Sequence, residues 1–122
     1  MLPAAHRMRR SKDIDRTVRR GVRAGRSRLV VHLVPDLQHG PDAPVTVAFA
    51  VSRAVGNAVT RNRVRRRLRH LMAARLGALP AGAGVVVRAL PPAASASSAE
   101  LGAELDSAVR VVLRRSSRHG TS

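Results

Sequence analysis

The sequence predicts an α+β fold, a small α-β sandwich in the order α-β-β-(β)-α-β-α around one mixed sheet. Three observations carry this reading. Two stretches, 57–76 and 101–112, repeat apolar residues at helical spacing. Three short Val-rich runs are bounded by Pro and Gly, the punctuation of strands. Strand 45–52, helix 57–76 and strand 85–90 then follow one another as a β-α-β unit.

Taken in order, residues 1–10 are basic and unpatterned, which suggests a flexible arm. Ser11 suits an N-cap, with Asp13 in the first turn where the helix dipole favours an anion. Ile14 and Val18 lie one turn apart and Gly21 suits the C-terminal cap, so 12–20 reads as a short helix with Arg16, Arg19 and Arg20 on its polar side. "VRAGR" (22–26) has room for a short extra strand. "RLVVHLV" (28–34) reads as a buried strand stopped by Pro35, and "PDLQHGPDAP" (35–44) as a loop. "VTVAFAVS" (45–52) is the next strand. Asn57 suits the cap of a helix in which Val64, Leu68, Leu71, Met72 and Leu76 share one face, ending near Gly77. "VVVRAL" (85–90) is a strand closed by Pro91 and Pro92, and "AASASSA" a small-residue linker. Ser97 with Glu100 fits a capping box. Leu101, Leu105, Ala108, Val109 and Val112 mark the last helix, with Arg114, Arg115 and Arg118 at its negative dipole end. Residues 11–118 thus form one domain, with 119–122 a tail.

Charge narrows the function. The chain has 122 residues and a formal net charge of +16, and only Lys12 among 23 basic residues is lysine. Residues 1–75 hold 18 basic and 4 acidic groups, a net +14. Such a field opposes compaction unless a polyanion screens it. Arginine suits bidentate phosphate contacts and stacking on bases; a GC-rich genome gives the same excess. There is no cysteine, hence no disulfide and no thiolate metal site. No apolar run approaches membrane-spanning length, and "MLPAAHRMRRSKD" lacks the apolar region of a secretory signal. A cytoplasmic protein is expected.

The sharpest feature is "NAVTRNRVRRRLRH" (57–70), where six arginines, Arg61, Arg63, Arg65, Arg66, Arg67 and Arg69, fall within nine residues without an acid. Like charges at this helical spacing repel. Solvated helix faces usually mix signs, so an uncompensated run points to phosphates. Asn62 among them suits a base edge or a 2′-hydroxyl; it equally suits a second N-cap or a bond back to the preceding loop. "VGNAV" brings backbone close to a helix N-terminus, where free N–H groups hold phosphate oxygens, and Arg53 extends the positive surface. His6, His39, His70 and His119 look scattered and solvent-facing, and no His/Asp/Glu spacing marks a metal site. His32 reads as a half-buried strand histidine. No base accompanies Ser52, and no Gly-rich nucleotide loop is present.

"VSRAVGNAVTRNRVRRRLRH" (51–70) resembles the signature of the bacterial ribonuclease P protein subunit: Val-Ser-Lys-Lys, Gly-x-Ala-Val and Arg-Asn-Arg, then basic residues along a helix. Val51, Ser52, Arg53, Gly56, Ala58, Val59, Arg61, Asn62, Arg63, Arg66 and Arg69 match directly or with Arg for Lys, and the element order agrees over about residues 7–118. The resemblance implies a left-handed β-α-β crossover, against the usual rule. It implies an accessory subunit without a catalytic side chain, one per catalytic RNA, whose RNA partner holds the Mg2+ that hydrolyses precursor tRNA to release its 5′ leader. It places Arg53, Asn57, Arg61, Asn62, Arg63, Arg65, Arg66, Arg67 and Arg69 against the catalytic RNA. A cleft between the first helix and the sheet would hold the leader, with Ile14, Arg16, Val18, His32 and Phe49 as its candidate lining. Here Ile14 and Val18 stand where the family has aromatics, His32 where it has a tyrosine, and Ala54 replaces a lysine. A ribosomal or general RNA-binding protein without a role in cleavage is the alternative. A DNA-binding helix fits less well, because arginine surrounds most of the helix and no helix-turn-helix pair is present.

Overall fold

The computed structural model describes residues 2–120, with side chains as far as Ser117. Seven elements follow in order: α1 Ser11–Arg20, β1 Val22–Gly25, β2 Leu29–Val34, β3 Thr46–Val51, α2 Ala58–Ala73, β4 Gly84–Ala89 and α3 Ser98–Gly120. The sheet order is β1-β2-β4-β3. β1 with β2 and β2 with β4 are antiparallel, and β3 with β4 is parallel. A parallel pair needs a crossover connection, and α2 supplies it. The mixed sheet and α+β order are those the sequence predicts, including the short strand within 22–26.

Strand alternation sorts the apolar side chains onto two faces. Leu29, Val31 and Leu33 of β2, Val47 and Val51 of β3, and Val85 and Val87 of β4 meet Val64, Leu68 and Met72 of α2 and Leu101, Leu105, Ala108 and Val112 of α3. Leu, Val and Ala carry this core almost alone, as the composition demands. The opposite face is partly covered by α1, which rests on β2 and β4. There Ile14 and Val18 pack on a smaller cluster of Met8, Val34, Leu37 and Val86, with Ala48 beside it. Gly21 lets α1 sit that close: a Cβ on it would stand 2.4 Å from the Thr17 carbonyl oxygen and 2.6 Å from that of Leu33.

Four local readings change. Residues 2–10 are anchored to the fold at Leu2 and Met8 rather than set apart as an arm. Leu2 and Met8 are buried, Arg7 bridges to Val47, and Met8 N–H donates to the Val47 carbonyl at 2.9 Å. Ser11 is the first helical residue, and Arg10 takes the cap position without a side-chain bond. His6 is half-buried, its Nδ1 2.7 Å from the Val45 carbonyl. The linker after β4 contains a 3-10 turn, Pro91–Ser95, that buries Ala93. The capping box at α3 forms: Glu100 N–H donates to Ser97 Oγ at 3.1 Å and Ser97 N–H to Glu100 Oε1 at 2.9 Å. The side chains of Arg118 and His119, and residues 121–122 of the expected tail, lie outside the described residues.

Candidate nucleic-acid interface

The turn from β3 into α2 is built to hold a helix N-terminus at the surface. After Ser52, the 3-10 turn Arg53–Val55 anchors itself by burying Val55. Gly56 lies against Thr60, where a Cβ would meet Cγ2 at 2.9 Å. Asn57 caps the helix, its Oδ1 accepting from Thr60 N–H at 2.9 Å. Arg53 and Asn57 are exposed, and no acid occupies the first turn.

The six arginines of α2 differ in what they touch. Val64, Leu68 and Met72 face the core. On one flank, Arg63 Nη2 donates to the Ala94 carbonyl at 3.3 Å and Arg67 Nη1 to that of Ala96 at 2.9 Å. These two, one helical turn apart, brace the chain between β4 and α3. On the outward side, Asn62, Arg65, Arg66, Arg69 and His70 line one open hollow. Asn62 neither caps nor reaches the loop; its Oδ1 accepts from Arg65 Nη1 at 3.0 Å and fixes that guanidinium. The Nε of Arg61 and of Arg63 are buried without a hydrogen-bond partner among the described residues. No carboxylate joins the cluster: the ion pairs among the described residues are Arg28 with Glu100 and Glu104, and Arg75 with Asp106.

α1 leaves part of its sheet face open. Ile14 and Val18 are half-buried on its flank, and beyond them lie half-buried Ala48 and exposed Ala50 and Arg88, the last two paired in register. His32 is on this face but is 1% exposed, more deeply set than the half-burial expected. Neither ring nitrogen has a hydrogen-bond partner among the described residues. Burial, and then the charges of Arg88 and Arg23, hold its pKa below the usual histidine value and favour the neutral ring. Two expected cleft residues lie elsewhere. Phe49 has the parity of Val47 and Val51 and packs against the main core, on the far face of the sheet. Arg16 lies about 200° round the helix from Ile14 and lines a hollow with Arg20, Val22, Pro35, Asp36 and Ser116. Two residues escaped the sequence reading. Thr17 is the buried residue of α1, its hydroxyl donating to the Asp13 carbonyl at 2.7 Å. Arg88, the one charge inside the run "VVVRAL", adds a cation to the open face; that interruption is its signal.

The family model described as Ribonuclease P matches residues 2–113 of this chain. The chain belongs to the ribonuclease P protein family. The ribonuclease P protein component of Thermobifida fusca is 52% identical over 136 residues, spanning 100% of this chain and 92% of that protein. That of Streptomyces bikiniensis is 54% identical over 118 residues, spanning 93% of this chain and 96% of the relative. In fold, the chain is similar to the ribonuclease P protein of Staphylococcus aureus, with a TM-score of 0.76 at 21% identity, covering 87% of this chain and 94% of that one. It is similar also to that of Thermotoga maritima, with a TM-score of 0.71 at 18% identity over 87% of this chain and 96% of that one. The α+β architecture is therefore that of ribonuclease P proteins, and the chain is a ribonuclease P component of tRNA processing.

Proposed function

We propose that this ribonuclease P protein binds the catalytic RNA through α2 and the 5′ leader of precursor tRNA through the open face beside α1, as an accessory subunit that carries no catalytic side chain. The observation that carries this reading is the hollow of Asn62, Arg65, Arg66, Arg69 and His70, outward-facing and without a carboxylate. Guanidinium groups held this way match phosphate oxygens bidentately. Arg53, Asn57 and Arg61 continue the surface around the helix start, where backbone N–H groups add to it. Arg63 and Arg67 serve the same surface while bracing the Ala94–Ala96 segment.

In the cleft, Ile14, Val18 and Ala48 offer apolar surface and Arg88 a charge. Without aromatics, it grips a single strand by shape and charge more than by stacking. Among the described residues no three His, Cys, Asp or Glu side chains gather where they could hold a metal ion. The Mg2+ of the reaction is placed mainly on the RNA, with one protein per catalytic RNA. No helix among the described residues is long and apolar enough to cross a membrane, and a cytoplasmic setting fits a precursor tRNA substrate.

The test is single-turnover cleavage of precursor tRNA by the cognate catalytic RNA at low magnesium, with and without the chain. Rescue that grows with leader length is expected. Binding to the RNA with no change in rate would instead make this a structural RNA-binding protein.

A further inference from the structure

We propose a second surface for an RNA phosphate backbone, formed by the β1–β2 turn and the C-terminal half of α3. Arg26, Arg114 and Arg115 line one shallow hollow there together with Val111. Among the described residues, each arginine bond within this group goes to a neutral oxygen. Arg26 Nε donates to Ser107 Oγ at 2.9 Å and Nη1 to the Gly25 carbonyl at 2.7 Å. Arg115 Nη1 donates to the Arg23 carbonyl. Such bonds orient a guanidinium without neutralising it, and a guanidinium has more N–H donors than these bonds use.

The acids of α3 do not offset this charge. Glu100 and Glu104 are paired with Arg28, and Asp106 with Arg75. From Ser107 onward the helix has no acid, while Arg110, Arg114 and Arg115 are exposed. A favourable helix dipole accounts for a cation in the last turn, and charged side chains guard a free strand edge such as that of β1. Neither accounts for Arg26, which sits on the hairpin turn and is drawn toward α3. A membrane surface fits poorly, because Val111 is the single apolar residue lining the hollow among the described residues and interfacial helices present a broad apolar face.

This surface is distinct from α2. β1 and β3 are opposite edges of the sheet, about 14 Å apart by strand spacing. α2 stands over β3, whereas α3 stands over β1 and β2. At physiological salt the screening length is about 8 Å, so the two clusters act on separate phosphates. The phosphates come from the catalytic RNA or from precursor tRNA, and the experiment separates these sources.

The full chain carrying Arg26→Gln, Arg114→Gln and Arg115→Gln is compared with the wild type in two salt series. One measures binding to the catalytic RNA; the other measures binding of precursor tRNA by the assembled holoenzyme. In one of them the log–log salt slope is expected to fall by about two, at roughly 0.7–0.9 per phosphate contact. Arg26 and Arg115 also tie the hairpin to α3, so Arg114→Glu is run beside the triple variant, with thermal melting of both. Arg114 makes no hydrogen bond among the described residues, and its reversal should weaken the same RNA without lowering the melting temperature. Unchanged slopes in both series, with Arg114→Glu folded and neutral in effect, would overturn the proposal. Arg66→Gln with Arg69→Gln serves as the α2 control: loss of RNA binding there but not here leaves the α2 reading intact and removes only this one.

Discussion

Arg67 donates to the carbonyl of Ala96 at 2.9 Å, one residue before the Ser97–Glu100 box that starts α3. One turn earlier, Arg63 does the same for Ala94. These two arginines therefore hold α2 to the entry of α3. Hydrogen bonds from charged donors contribute roughly 1.5–3 kcal/mol, lessened here by partial exposure. Arg67→Ala is expected to cost about 1 kcal/mol of stability in urea unfolding, and Arg63→Ala somewhat less because its bond is longer. Arg66→Ala, on the exposed side, should leave the unfolding midpoint unchanged while weakening RNA binding. Equal stability losses for Arg66 and Arg67 would show that the bracing contacts are not made in solution.

Asn57 separates capping from RNA contact. Its side chain accepts from Thr60 N–H, so Asn57→Ala should lower stability by about 1 kcal/mol. Aspartate caps as well as asparagine and suits the helix N-terminus, so Asn57→Asp should keep the melting temperature. The same carboxylate would face RNA phosphates, and affinity for the catalytic RNA should fall several-fold at low salt. An Asn57→Asp chain that binds RNA as tightly as the wild type would place Asn57 outside the interface.

Much of this arrangement is legible in the sequence, and the illegible parts share a cause. Val64, Leu68 and Met72 declare α2 because a helix repeats its buried face within the segment itself. Ser97 and Glu100 declare their box because both partners are local. Phe49 was readable in principle: it shares parity with Val47 and Val51, which assigns it to the main core and away from the cleft. The division of the arginines was not readable, since it depends on the 3-10 turn Pro91–Ser95 lying beside α2, a contact about thirty residues distant in sequence. Residues 2–10 look like an arm because Leu2 and Met8 are isolated apolar residues whose partners are supplied by the folded sheet.

His32 makes stability depend on pH near neutrality. Its pKa is lowered in the folded chain, by burial first and then by Arg88 and Arg23, from an ordinary value of 6.5. As pH falls through that value, the unfolded chain takes up a proton and the folded chain does not. Stability is therefore fully present above about pH 6.5 and declines from there toward the folded pKa. Glu100 and Asp106 are also lowered, Glu100 first by its bond from Ser97 N–H and Asp106 first by its bond from Arg75. Their contributions are lost only at more acid pH, below their ordinary values of 4.5 and 3.8. Urea midpoints between pH 7.5 and 5.5 should fall for the wild type and stay flatter for His32→Leu, which also removes two buried nitrogens without partners. Parallel curves for both would mean that the ring reaches solvent.

The flank of α1 offers the most direct test of the cleft. Ile14 and Val18 are half-buried at the border of the open sheet face, next to Ala48. Neither can stack on a base, whereas an aromatic ring at such a position adds roughly 1–3 kcal/mol per base. Val18→Phe is expected to tighten holoenzyme binding of precursor tRNA at least several-fold when a leader of several nucleotides is present. Because stacking is not electrostatic, the salt slope should not change. The same substitution should leave binding of a substrate with no leader as it was. Arg88→Ala should act in the opposite way on the same substrates, weakening leader-dependent binding and lowering the slope by roughly 0.7, the amount for one single-stranded phosphate contact. A gain from Val18→Phe that is equal with and without a leader would place the leader elsewhere on the protein. If Arg88→Ala was silent as well, the open face beside α1 would have no part in substrate binding.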